Sequence, residues 1–214
     1  MHKHVRTSLI ISLMFLPIVV IYYITSAGAT PFDYFSRLAD SFIKGIYWLQ
    51  EQPAWLTELI PSGPNKFFVV YPPMPAILLI IPRLLFGTLF EQQFLAHMLG
   101  FGIAIIMVNI TLKITNFSKL KAIWIGLFVG LGTIIWFLSS VGSSWYIGQI
   151  SAAFFISLAI LEEIEKKRPI ILGILLGCAY LSRIHTILCI VFFMYILYDK
   201  NWFKSYFKLG LGVA

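Results

Sequence analysis

Outside residues 27–93 the chain from Ser8 onward is a succession of apolar runs joined by short basic segments, and several runs approach the roughly 20 residues that cross a bilayer. They are Ser8–Thr25, Phe94–Leu112, Trp124–Ser139, Ile150–Leu161, Pro169–Leu181 and Thr186–Tyr198. A membrane barrel strand alternates apolar and polar residues, and these runs do not. Charged residues make up only 12% of the chain, against about 25% in a soluble domain. The expectation is an all-α protein, a polytopic transmembrane helical bundle forming one transmembrane module over residues 1–214.

The net charge of +7 does not point to nucleic acid, because the bases cluster at the joints. Ser8–Thr25, after the basic start His2–Arg6, is long enough to be a retained first helix with its N-terminus in the cytoplasm. The segment from Ala27 to Gln93 then lies outside. Met74–Gly87, broken by Pro82 and Arg83, is short for a span. If it lies along the surface, Lys113–Lys121, Lys166–Arg168 and Lys200–Lys208 all fall on the cytoplasmic side, as the positive-inside rule requires. If it crosses, all of them fall on the wrong side. The expected location is therefore the plasma (inner) membrane, multi-pass, with a large external first loop carrying interfacial helices. The last run, from near Phe207, stops at Ala214 short of a span, and the chain reads as the N-terminal part of a longer protein.

The polar chemistry concentrates in that loop. It holds eight of the ten prolines, and Asp33, Asp40, Glu51, Glu58 and Glu91 are five of the nine acids. Asp33–Lys44 has a helical pattern, with Phe35, Leu38, Ala39, Phe42 and Ile43 on one face and Asp33, Arg37, Asp40 and Lys44 on the other. Such a helix lies at a membrane surface, and Gly45 is its stop. Lys66–Tyr71 reads as a short extended segment ending at Pro72-Pro73. Cys178 and Cys189 lie in apolar runs without metal or redox spacing. The sequons at Asn109 and Asn116 fall at intramembrane and cytoplasmic positions. Glu162, Glu163 and Glu165 with Lys166–Arg168 form a solvated joint. Gly173 and Gly177 allow close helix packing.

Taken in order, Asp33, the FSRLA helix of Phe35–Ala39 running to Gly45, Tyr71-Pro72-Pro73-Met74-Pro75, Gly142-Ser-Ser-Trp145-Tyr146, and Gly173 to Arg183 form a recognisable series. The series resembles the superfamily C (GT-C) membrane glycosyltransferases, nearest in pattern to protein O-mannosyltransferases and lipid A aminoarabinose transferases. The resemblance implies a polyprenyl-phosphate sugar donor, a lipid, glycan or protein acceptor, and transfer on the external face of the cell envelope. It places the catalytic acid at Asp33 and the base that meets the carrier phosphate at Arg183. Relatives often carry a second acid in the next external turn; Val141–Ile150 has none, and Gln149 stands roughly there. No cofactor and no metal ligand is assigned; the missing second acid weakens the case for a metal site, and a divalent metal stays an open alternative.

A carboxylate can take the acceptor's proton, and a guanidinium can hold a phosphate bidentately. Each residue also has a plainer reading. Asp33 could cap the surface helix. Asp40 is an i,i+4 partner for Lys44. Arg37 stands between both acids as an ion-pair partner. Arg183 could snorkel, yet the positive-inside rule disfavours an external base without a task. His185 suits phosphate or acceptor, or packing. Trp145 and Tyr146 suit sugar stacking, or an ordinary aromatic belt. Tyr71 and its prolines shape the return to the membrane. The alternatives to a transferase are a transporter or lipid-carrier flippase, which would show repeats or broken helices, and an inactive GT-C fragment.

Overall fold

The computed structural model describes residues 16–198 and 202–213. The basic start His2–Arg6, the first half of Ser8–Thr25, Lys200 and Ala214 lie outside the described residues. Among the described residues the regular structure is helical apart from one small hairpin. Its helices are α1 (16–24), α2 (Tyr34–Ile43), α3 (Met74–Phe86), α4 (Gln92–Ile114), α5 (Lys119–Leu131), α6 (Ile134–Val141), α7 (Ser144–Glu165), α8 (Pro169–Tyr180), α9 (Cys189–Ile196) and α10 (Trp202–Val213). The strands β1 (Leu59–Pro61) and β2 (Phe67–Val69) pair antiparallel, with Leu59 opposite Val69 and Pro61 opposite Phe67.

Among the described residues two helices, α4 and α7, are long and apolar enough to cross a membrane; α5 and α6 together make a third if counted as one bent span. The run expected to be continuous over Trp124–Ser139 is in fact two helices bent by 53°. Thr133 causes the break locally. Its hydroxyl donates to the Val129 carbonyl at 2.6 Å and accepts from the Ile135 N–H at 3.2 Å, ending one helix and capping the next. The other expected helices are present with shifted ends. α7 starts six residues before Ile150, at Ser144, and the Thr186–Tyr198 run is a 3-10 turn over Ile184–Leu188 followed by the short α9.

Helices α4 and α7 pack side by side and point the same way. At their starts Gln92 Nε2 lies 3.4 Å from Ser144 Oγ, and at their ends Lys113 Nζ pairs with Glu165 at 3.0 Å. From Gln92 to Lys113, α4 separates these two levels by about 32 Å at 1.5 Å per residue. The basic joints at Lys113 and Lys166–Arg168 therefore share one end of the α4–α7 pair. The 27–93 loop caps the other. At the joint, Arg168 meets Glu162 at 2.7 Å and Lys167 meets Glu163 at 3.0 Å.

The main core lies under the loop. Tyr34, Phe35, Leu38 and Ala39 of α2 and Ala76 and Leu79 of α3 bury against Leu95, Leu99, Ile147 and Ile150. A separate cluster joins α7, α8, α9 and α10. In it, Gly173 and Gly212 bring α8 and α10 into backbone contact, since a Cβ on Gly173 would lie 2.8 Å from the Gly212 Cα. The partner expected for the Gly173–Gly177 pair is thus α10.

Helix α3 has 13 residues, about 20 Å, well short of a hydrocarbon core of about 30 Å. Its Ile81, Leu84, Leu85 and Phe86 are exposed.

Candidate functional site

The hairpin explains why a carboxylate reaches the bundle. Leu59 faces Val69, so Glu58 stands opposite Val70 and beside Tyr71. The Tyr71 hydroxyl donates to Glu58 Oε2, and the Glu58 N–H donates to the Tyr34 hydroxyl at 3.1 Å. Pro72 and Pro73 then end the extended segment, and the Met74 N–H donates to the Leu181 carbonyl at 2.9 Å. That bond fixes the end of α8 against the start of α3. Arg183 follows two residues later.

Arg183 leaves α8 and lies against the first turns of α7. Its Nη2 donates to the Trp145 carbonyl, while its Nε is buried with no hydrogen-bond partner. Gly148 makes the room: a Cβ there would lie 2.8 Å from Arg183 Nε. The Trp145 indole turns the other way, and its Nε1–H donates to Glu58 Oε2 at 3.1 Å. One tryptophan thus contacts both a carboxylate and a guanidinium from distant parts of the chain. Burial pulls the Arg183 guanidinium below its ordinary range, partly offset by Tyr71. The Tyr71 phenol is pushed up, first by burial and then by its bond to Glu58. Tyr71 therefore stays a neutral donor.

A cavity of about 310 Å³ opens beside this cluster. Its walls include Ala29, Pro31, Phe32, Trp145 and Tyr146. Phe32 packs on Trp145 at 4.6 Å between ring centres, and Tyr146 meets Phe137 at 5.0 Å.

Asp33 begins α2 but does not cap it with its side chain. The capping reading is corrected by Gln92. Its Oε1 accepts the N–H groups of Phe35 and Ser36 at 3.2 and 3.4 Å, and its Nε2 donates to the carbonyls of Phe32 and Gly142 at 3.0 and 2.9 Å. The Asp33 carboxylate instead takes Arg37 Nε at 2.8 Å on a partly exposed face. Its charge still reaches the cluster: Tyr34 is raised chiefly by burial, and the charges of Glu58 and Asp33 both add to that rise against a backbone bond that lowers it.

The expected Asp40–Lys44 pair is also corrected. Asp40 is held by Arg83, whose Nε and Nη2 meet its two carboxylate oxygens at 2.5 and 2.6 Å. The Arg83 side chain is buried, and its Nη1 reaches the Phe90 carbonyl at 3.1 Å. Desolvation of the planar fork favours this bidentate partner over a flexible lysine on the same helix. Asp40 and Arg37 line a small polar hollow with Lys44 and Glu51, away from Trp145. His185 is exposed and makes no hydrogen bond to the cluster among the described residues.

Of the sequence-derived candidates, the fold brings together Tyr71, Trp145 and Arg183, with Tyr146 on the cavity wall and Asp33 nearby; Asp40 and His185 stand apart. Two residues were missed. Glu58 lies in a proline-rich loop with no periodicity to single it out. Gln92 opens an apolar run, where its amide gave no signal except its position before a helix. Among the described residues no three His, Cys, Asp or Glu side chains gather as a metal site. No protein-family profile, no curated protein and no solved structure matches the chain.

Proposed function

We propose that the chain is a membrane glycosyltransferase that moves a sugar from a polyprenyl-phosphate donor to a lipid, glycan or protein acceptor on the external face. The observation that carries this reading is the meeting of half-buried Arg183 and Glu58 on Trp145, whose side chain also walls a small aromatic cavity. A guanidinium in a partly desolvated place suits a phosphate. The aromatic wall of Phe32, Trp145 and Tyr146 suits a sugar ring. The bland Asp33 role, capping, is already filled by Gln92.

In this reading Arg183 holds the carrier phosphate. The acceptor oxygen or nitrogen bonds to the anomeric carbon, and the bond from that carbon to the phosphate oxygen breaks. The electron pair leaves with the polyprenyl phosphate, where Arg183 offsets the developing charge. The acceptor's proton passes to Asp33. Glu58 is a positioning residue: it holds the indole of Trp145, whose carbonyl holds Arg183. Phe32 and Tyr146 bound the sugar.

The same reading sets the orientation. Lys113 and Lys166–Arg168 share one end of the α4–α7 pair, as the positive-inside rule asks of a cytoplasmic end. The loop and the cluster then face outside, and α3, too short to span and apolar on its exposed side, lies along the outer leaflet. Transfer of label from a panel of polyprenyl-phosphate sugars by the purified protein tests the activity. No transfer from any donor under conditions where the protein is folded counts against it.

The bend between α5 and α6 favours a second reading, a transporter or lipid-carrier flippase, because broken helices frame transport sites. Movement of a labelled lipid carrier or solute across sealed vesicles without chemical change would select it.

A further inference from the structure

A cavity of about 610 Å³ lies on the far side of the Gly28-Ala29 segment, which forms a wall of both this cavity and the smaller one beside Trp145. Its other lining residues include Tyr23, Leu89, Glu91, Phe94 and His97. Among the described residues no lysine or arginine lines it. Glu91 immediately precedes α4, yet its side chain makes no capping bond, and among the described residues it forms no ion pair. It is half-buried, so its charge is neither solvated fully nor matched by the protein.

His97 is 1% exposed. Its Nδ1 lies 2.7 Å from the Ser139 carbonyl. A carbonyl only accepts, so the proton sits on Nδ1, and Nε2 keeps a lone pair with no protein partner among the described residues. The rings of Tyr23 and Phe94 stand edge-on to the imidazole at 6.4 and 6.2 Å. The rim is apolar: Tyr23 and Ile24 are 71% and 73% exposed, and Leu89 is 90% exposed.

An unmatched carboxylate repels an anion. A carboxylate, a bare imidazole nitrogen and aromatic faces together match a group with several N–H donors and a positive charge. The apolar rim matches a hydrocarbon chain. We infer that this cavity binds a protonated primary amine, the Glu91 carboxylate and His97 Nε2 accepting its N–H bonds, whether the amine belongs to a lipid headgroup or is free. The inference does not depend on the glycosyltransferase reading.

The test is lipid retention by the full-length chain in nanodiscs of equal phosphatidylethanolamine and phosphatidylglycerol, read by native mass spectrometry after partial delipidation. One charge-assisted bond predicts a preference of about tenfold for the amine lipid. Glu91→Gln should bring the preference to parity. Thr88→Trp, which fills the rim and leaves the charge in place, should do the same. Adding free ethanolamine separates the sources: displacement of the lipid assigns the site to any primary amine, and no displacement assigns it to the lipid. Equal retention of the two lipids, or a preference that survives Glu91→Gln, overturns the inference.

Discussion

The indole Nε1–H of Trp145 donates to Glu58 Oε2 at 3.1 Å, across 87 residues of sequence. The backbone carbonyl of the same tryptophan accepts from Arg183. Glu58 therefore acts on the guanidinium through Trp145. Glu58→Ala should raise the donor KM about tenfold, the loss of one charged hydrogen bond, with a smaller change in kcat. Glu58→Gln, whose amide oxygen still accepts from the indole, should restore most of that loss. Kinetics with the donor varied at fixed acceptor check both.

Gln92 fills the capping role that sequence offers to Asp33, which leaves Asp33 for the proposed proton transfer. Asp33→Asn should lower transfer by about 100-fold or more, the scale of a lost general base, and shift thermal stability little, because its ion pair with Arg37 is partly exposed. Gln92→Ala removes the acceptor for two helix N–H groups and two donors to carbonyls, and should destabilise the fold by about 2 kcal/mol or more. Thermal unfolding in detergent, run beside the transfer assay, separates the two effects.

Gly148 leaves the space that Arg183 fills. Gly148→Ala places a Cβ 2.8 Å from Arg183 Nε and should displace the guanidinium, raising donor KM about tenfold. Gly210→Ala meets nothing within 4 Å and should leave donor KM unchanged. The contrast between the two variants in the same assay distinguishes displacement of Arg183 from a general effect of adding a methyl group.

Asp40 is the counter-ion of a buried arginine. Asp40→Ala leaves the Arg83 charge unpaired and should cost on the order of 3 kcal/mol of stability. Lys44→Ala should cost little, since Lys44 forms no ion pair among the described residues. Comparative thermal unfolding of the two variants decides which partner Asp40 uses.

These cases show what was legible in the sequence. Helices α2, α3, α4 and α8, the extended segment before Pro72 and the close-packing Gly173 were read from period, breakers and residue size, all local properties. Of the polar residues noted in the loop, Asp40 and Glu58 do make long-range hydrogen bonds. What failed was partnership over distance. Asp40 has a local lysine by the i,i+4 rule, but its partner is 43 residues away because α2 packs on α3. Glu58 reaches Trp145 only through the hairpin register. The α5–α6 break was hidden in an apolar run, because Thr133 satisfies both helix ends with one hydroxyl.

The central claim is that Arg183 holds the phosphate of a lipid-linked sugar, and donor dependence of transfer by Arg183 variants tests it most directly. Arg183→Ala should raise donor KM and slow phosphate departure, with acceptor KM unchanged. Arg183→Lys, which keeps the charge and loses the planar fork, should fall between Arg183→Ala and the unmodified chain. Donor KM and kcat for Arg183→Ala equal to those of the unmodified chain would contradict the account and return Arg183 to a structural anchor on Trp145.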